Sequence, residues 1–216
     1  MKTFSGIIFD IDGTLTSTNE LIFASFNHVM NKYLNKTMTN NEIISLFGPT
    51  EDVILEEFTG SDFPQAREDY YNYYSQNHTM ADLYPGIMEI LTFLKSKRIP
   101  LSIFTGKGRD AATITLKKLK IYDNFDMIVT GDDVKDHKPS PEGILMFIDK
   151  FKLDKNSVLM IGDSPSDIKA AHSAGVKIAS VLWDSYSKDK VLEMESDYVF
   201  NTVGELKEFI KTSFND

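Results

Sequence analysis

From about residue 84 onward, short β-rich apolar runs alternate with segments whose apolar positions recur at helical spacing. This alternation predicts a parallel sheet flanked by helices. Tyr84-Pro85-Gly86 opens a helix to about Lys97 with Ile87, Ile90, Leu91 and Leu94 on one face, and residues 100–104 supply the next strand. A second helix starts at Asp110 and turns Ala112, Leu116 and Leu119 to the sheet, followed by a strand at 125–129 and a helix at 141–151. A buried strand at 158–161, a helix at 165–174, strands at 176–182 and 197–200 and a helix at 203–213 complete the series.

Near the start, Phe4, Ile7, Ile8, Phe9 and Ile11 read as a strand covered on both faces, which Gly13 breaks. Between about Ser17 and Asp82 the β pattern gives way to amphipathic segments at 19–35, 39–46, 50–58 and 63–77. Within the last of these, helical spacing puts Tyr70, Tyr73 and Tyr74 on one side, packed inside the insertion rather than offered as a stacking platform. The expected fold is α/β, a Rossmann-like doubly wound parallel sheet with a small all-helical cap inserted after the first strand. Residues 1–16 and 83–216 form the discontinuous core and residues 17–82 the cap, standing above the strand tips.

Composition narrows the function. The 216 residues are 42% hydrophobic and 25% charged, enough for a sizeable core, with a formal charge of −9. Without cysteine there is no disulfide framework, thiolate metal site or cysteine nucleophile, so metal chemistry must use oxygen or imidazole ligands. The opening MKTFSGIIFDIDG does not read as a signal peptide, and no stretch approaches the roughly 20 apolar residues of a membrane span. An acidic chain without a basic stripe is not expected to bind nucleic acid. A cytoplasmic protein without membrane or nucleic-acid partners is expected, with monomer or homodimer left open.

The chemistry gathers at strand ends. Asp10 and Asp12 close the first apolar run, at the carboxyl edge where open α/β sheets bind ligands. Two neighbouring carboxylates repel, a cost that a metal ion, a hydrogen-bond network or a shared proton offsets. Later strand ends carry Thr105-Gly106-Lys107, Lys138-Pro139 and Gly162-Asp163-Ser164-Pro165-Ser166-Asp167. Each has a plain structural reading: Asp12-Gly13 as a turn, Thr105 as a helix cap, Lys138 as a solvated loop lysine, residues 163–167 as a capping turn. Together, at one sheet edge, they can hold a phosphate beside a divalent cation. Thr and Lys donate to phosphoryl oxygens, Gly permits close approach, and carboxylates coordinate a hard metal.

In this order the motifs resemble those of the haloacid dehalogenase superfamily, over the whole chain. DIDGT at 10–14 is similar to its first motif, Thr105 to the second, Lys138 in HKPSPEG to the third and GDSPSD at 162–167 to the fourth. Thr105-Gly106 stands where many members have Thr-Asn or Ser-Asn. FTGKG, VTGDDV and KPSPEG look most like the phosphoglycolate phosphatase and pyrophosphatase group. The resemblance implies that Asp10 attacks phosphorus and Asp12 acts as acid, then base. It also implies Mg²⁺ held by Asp10, the Asp12 carbonyl and Asp163, with Asp167 nearby, while Thr105 and Lys138 offset charge. Members that cleave carbon–halogen bonds generally lack Asp at position 12, so the expected activity is hydrolysis of a small phosphorylated metabolite. A sugar-phosphate type phosphomutase and a non-catalytic phosphate sensor are the alternatives.

For substrate contact the candidates are Gly13, Gly106 and Lys107, with Gly48 and Thr50 from the cap loop Phe47-Gly48-Pro49-Thr50, which reads equally as an interhelical turn. The cap is poor in Lys and Arg, which argues against a bisphosphate, although Lys107 and Arg109 could reach a second anionic group. His28, His78, His137 and His172 show no ligand spacing, and of these His137, beside Lys138, could reach the site.

Overall fold

Ile7 and Phe9 enter one apolar cluster and Ile8 another, so the first strand is covered on both faces, as its unbroken apolar run requires. The computed structural model describes residues 4–214. The first three and last two residues of the expected core lie outside the described residues. Along the chain, β1 (Gly6–Phe9) leads through β2 (Thr16–Ser17) into α1 (Asn19–Leu34), α2 (Asn40–Ile44), α3 (Glu51–Thr59) and α4 (Phe63–Gln76). The chain returns by β3 (Asp82–Leu83) to α5 (Ile87–Ser96), β4 (Leu101–Phe104), α6 (Arg109–Lys118), β5 (Met127–Val129) and α7 (Glu142–Phe151). Then come β6 (Val158–Gly162), α8 (Pro165–Ala174), β7 (Lys177–Val181), α9 (Lys188–Leu192), β8 (Tyr198–Phe200) and α10 (Val203–Ser213).

The six long-range strands pair in the order β5-β4-β1-β6-β7-β8, every pair parallel. The chain builds outward from β1 through β4 and β5, then crosses to β6 on the other side, so the strand order reverses at β1. Ile87, Ile90, Leu91 and Leu94 of α5 pack on one face with Ala112 and Leu116 of α6 and Leu206 and Ile210 of α10. Ile144 and Phe147 of α7 and Ile168 and Ala171 of α8 cover the other. The sheet is therefore doubly wound and Rossmann-like, as the alternation predicts.

Among the described residues, the strands β2 and β3 and the helix α9 have no counterpart in the periodicity. β2 and β3 pair antiparallel, Thr16 with Leu83 and Ser17 with Asp82, but two residues are too few to show an alternation. They lie where the helical segment leaves and rejoins the sheet. The five-residue α9 is likewise too short for a helical stripe. Elsewhere the ends shift by a residue or two, and Ile11, read as part of the first strand, lies buried just beyond it.

Helices α1–α4 share a third apolar cluster containing Leu21, Phe26, Met30, Ile43, Leu55, Tyr70 and Tyr74, which Ala111 of α6 joins from the sheet side. Tyr70 and Tyr74 are fully buried, whereas Tyr73 is half-buried and stacks on His28 at 4.5 Å between ring centroids. Among the described residues no helix is long and apolar enough to cross a membrane.

Because Leu91 has no exposed surface and Val199 is 43% exposed on the edge strand, their truncations should separate cleanly. Leu91→Ala is expected to lower unfolding free energy by about 2–5 kcal/mol in urea titrations. Val199→Ala should stay within about 0.5 kcal/mol.

Candidate active site

The register that pairs Phe9 with Ile103 and with Ile161 sets the site's frame, because the chain leaves β1, β4 and β6 side by side at one edge. Asp10 follows β1, Thr105 follows β4 and Asp163 follows β6, so three motifs far apart in sequence arrive together. Gly13 has φ +76°, and a Cβ there would lie 2.5 Å from Asp163 Oδ2, so glycine both permits the turn and admits the carboxylate.

Asp10, Asp163 and Asp167 each offer an oxygen to a group lying within 4.8 Å of one another. Lys138 Nζ lies 3.0 Å from Asp10 Oδ1 and 2.7 Å from Asp167 Oδ1, and rests over the Phe104 ring. Asp167 also accepts the Ser164 hydroxyl at 2.6 Å and backbone N–H at 3.1 Å, while Ser164 caps α8 in return. The capping reading of residues 163–167 is thus realised, and the same Asp167 side chain also holds Lys138. Asp163 accepts the Thr14 hydroxyl at 3.2 Å, and its carbonyl accepts Ser185 Oγ at 2.6 Å.

Burial pushes the Asp10 carboxyl up to about 6, with Asp167 and Asp12 adding to the rise and Lys138 opposing it. Asp163 is driven well above the usual carboxylate range, first by burial and then by Asp10 and Asp167. Burial works against the charge on Lys138, but Asp10 and Asp167 outweigh it and raise its pKa. Buried Asp10 Oδ1 has no aligned hydrogen bond among the described residues despite its ion pair. Crowded, destabilised carboxylates with an orphaned oxygen are the donor set a hard divalent cation would satisfy.

The Asp12 carboxylate leaves this group. It accepts the Thr18 hydroxyl and meets Lys107 Nζ at 3.2 Å. Lys107 is buried, and its ammonium also lies 3.3 Å from Glu51 Oε1, so the side chain expected to reach a substrate anion sits between two of the protein's own carboxylates. Burial opposes its charge, but Asp12, Tyr74 and Glu51 prevail and its pKa rises well above normal. The Arg109 guanidinium is engaged by Asp133 at the surface. Thr105 is buried at the strand end and its hydroxyl accepts the Lys107 N–H at 3.2 Å, but the residue preceding α6 is Gly108, so Thr105 does not cap that helix.

Of the cap candidates, the Gly48 carbonyl would lie 3.8 Å from a Cβ on Gly106, and Thr50 packs its methyl on Gly131. Thr50 occupies the N-cap position of α3 without a side-chain capping bond. The structure therefore brings the cap loop onto the strand ends. His137 is near Gly131, with Nδ1 buried and without a hydrogen-bond partner among the described residues, while His78 packs in the cap beside Thr115.

Sequence reasoning missed Glu51. It is 6% exposed, accepts the Gly108 N–H at 2.6 Å, and burial raises its pKa against the opposing pull of Lys107. An acid in the first turn of a helix looks like an ordinary dipole-favoured surface residue, and nothing local marks it as buried.

Comparison with known proteins agrees with this geometry. Residues 7–181 match the family described as haloacid dehalogenase-like hydrolase. The chain is 32% identical over 210 residues to pyrophosphatase PpaX of Bacillus pumilus, covering 95% of each chain. A crystal structure described as a predicted phosphoglycolate phosphatase from Haemophilus somnus superposes with TM-score 0.86 at 24% identity, over 97% of this chain and 99% of that one. CbbY from Rhodobacter sphaeroides, crystallised with phosphate, gives 0.80 at 19% identity, over 94% and 96%. At these identities the two structures speak for the fold.

Without a cation, the raised carboxyls destabilise the fold as pH climbs from 3.8 towards about 6, because the unfolded chain gives up its protons first. A bound divalent cation should reverse this by replacing those protons. The rise in Tm on adding Mg²⁺ or Mn²⁺ should be large near neutral pH and shrink as the pH falls below about 6. A rise independent of pH, or its persistence in Asp163→Asn, would speak against the cluster as the binding place.

Proposed function

The chain belongs to the haloacid dehalogenase-like hydrolases, and we propose that it is a Mg²⁺-dependent phosphatase of a small phosphorylated metabolite, acting through a phosphoaspartate on Asp10. The class includes phosphoglycolate and sugar phosphates. The observation that carries this reading is the convergence of Asp10, Asp163 and Asp167 on Lys138 at the sheet's switch point. The proposal includes residues 1–16 and 83–216 as catalytic core, 17–82 as cap, and a cytoplasmic setting.

In this reading an Asp10 oxygen forms a bond to phosphorus as the ester oxygen departs, and Asp12 gives the departing oxygen its proton. Water then attacks the phosphoaspartate, its proton passing to Asp12, and phosphate leaves with Asp10 restored. Asp10, Asp163, Asp167 and the Asp12 carbonyl would hold the cation, which would neutralise phosphoryl charge. Lys138 serves the same end from the protein side and keeps Asp10 charged and oriented. Thr105, Gly106 and Gly13 border the phosphoryl position, with Gly48 and Thr50 closing it from the cap.

A second reading, inorganic pyrophosphate as substrate, is favoured by the name of a relative that is 32% identical. Phosphate release across phosphoglycolate, sugar phosphates, glycerol phosphate, nucleotides and pyrophosphate, with Mg²⁺ and with EDTA, separates the two. Asp10→Asn should lower turnover by more than roughly a thousandfold on every substrate, and turnover equal to wild type would exclude the covalent route. Asp12→Asn should cost roughly 100- to 10,000-fold on alkyl phosphates and much less on aryl phosphates with good leaving groups. An equal loss on both would remove Asp12 from the acid's role.

A further inference from the structure

The N-terminus of α6 stands beside the proposed acid, and a helix start, with its outward N–H groups and dipole, attracts an anion. The protein fills that place itself. Glu51 Oε2 accepts the N–H of Gly108, the residue preceding the helix, at 2.6 Å, and Oε1 lies 3.3 Å from Lys107 Nζ. The same ammonium is 3.2 Å from Asp12 Oδ2. The next donors are used in the same way, since the Arg109 N–H meets Asp132 at 2.7 Å and its guanidinium pairs with Asp133. When Asp12 carries the proton it delivers, the Glu51 carboxylate balances the Lys107 ammonium, and when Asp12 is ionised the group is net negative, so in neither state is an unpaired cation left for a substrate anion.

We propose that Glu51 is a specificity-determining residue: it occupies the anion position beside Asp12, so that esters with an uncharged leaving group are accepted and those with a second anionic group are disfavoured. The inference rests on the phosphatase reading and narrows its substrate class. A second anion on the leaving group, as in phosphoglycolate or pyrophosphate, would have to approach Glu51 at close range in a site from which water is largely excluded, where like charges repel strongly.

Glycerol phosphate and phosphoglycolate are similar in size and differ in that charge, so their kcat/KM ratio reads the effect directly. Wild type should prefer glycerol phosphate, Glu51→Gln should raise the relative rate on phosphoglycolate by roughly tenfold or more, and Glu51→Asp should keep the wild-type preference. Wild-type preference for phosphoglycolate, or a ratio unchanged in Glu51→Gln, overturns the proposal. Should Glu51→Gln not fold, the wild-type preference decides by itself. If wild type hydrolyses no ester, the phosphatase reading fails on its own account, and calorimetry with inorganic phosphate and pyrophosphate decides the inference. Pyrophosphate binding roughly tenfold tighter in Glu51→Gln, with phosphate binding unchanged, supports it; unchanged pyrophosphate binding overturns it.

Discussion

Three carboxylates forced together at the edge of a buried sheet are the constraint on which the rest of this structure turns. Asp10, Asp163 and Asp167 would repel one another and resist burial, and the fold holds them by placing the Lys138 ammonium between Asp10 and Asp167. The ammonium gains from the same arrangement, since burial alone would discharge it. What remains uncompensated, a buried Asp10 oxygen and an Asp163 carboxyl pushed well above its ordinary range, is an electrostatic cost that a hard divalent cation would relieve. The parallel register of β1, β4 and β6 maintains the arrangement, so the apolar core on both faces of the sheet is what keeps the charges close.

A second electrostatic unit sits on the cap side. Asp12, Lys107 and Glu51 form a buried chain from the turn after the first strand, through the turn after β4, to the first turn of α3. Outside it, Arg67 of α4 ties Asp52 of α3 to Asp110 of α6. The helical segment therefore rests on residues 107–110, immediately beside Asp12. The placement of α3 and the surroundings of Asp12 are coupled by construction: displacing α3 would remove a carboxylate from Lys107 and change what surrounds Asp12.

Local pattern was sufficient where a residue's role follows from its neighbours in sequence. The apolar run before Asp10, the four-residue stripe of α5 and the Ser164-Pro165-Ser166-Asp167 start of α8 each express a rule that operates within a few residues. The order of the motifs also placed Asp10, Thr105, Lys138 and Asp163 at one edge, because a βα alternation puts successive strand ends there. Pattern was insufficient where the partner is distant. Lys107 and Arg109 read as cations available to a substrate, and both are engaged by carboxylates of the chain. Glu51 looks like any acid opening a helix, and its meeting with Lys107 spans 56 residues.

By itself, then, the sequence determined the class of fold, the helical interruption after the first strand and the set of groups gathered at the sheet edge, since periodicity and strand-end position depend on local spacing. Tertiary structure alone decided which charges cancel. That Asp167 serves both a helix cap and Lys138, that the Asp12 side chain turns away from the other carboxylates, and that Glu51 covers the start of α6 all follow from how the cap helices dock on the sheet. Electrostatic pairing depends on distance in space and on exclusion of water, and the linear order of residues encodes neither until the apolar surfaces have closed.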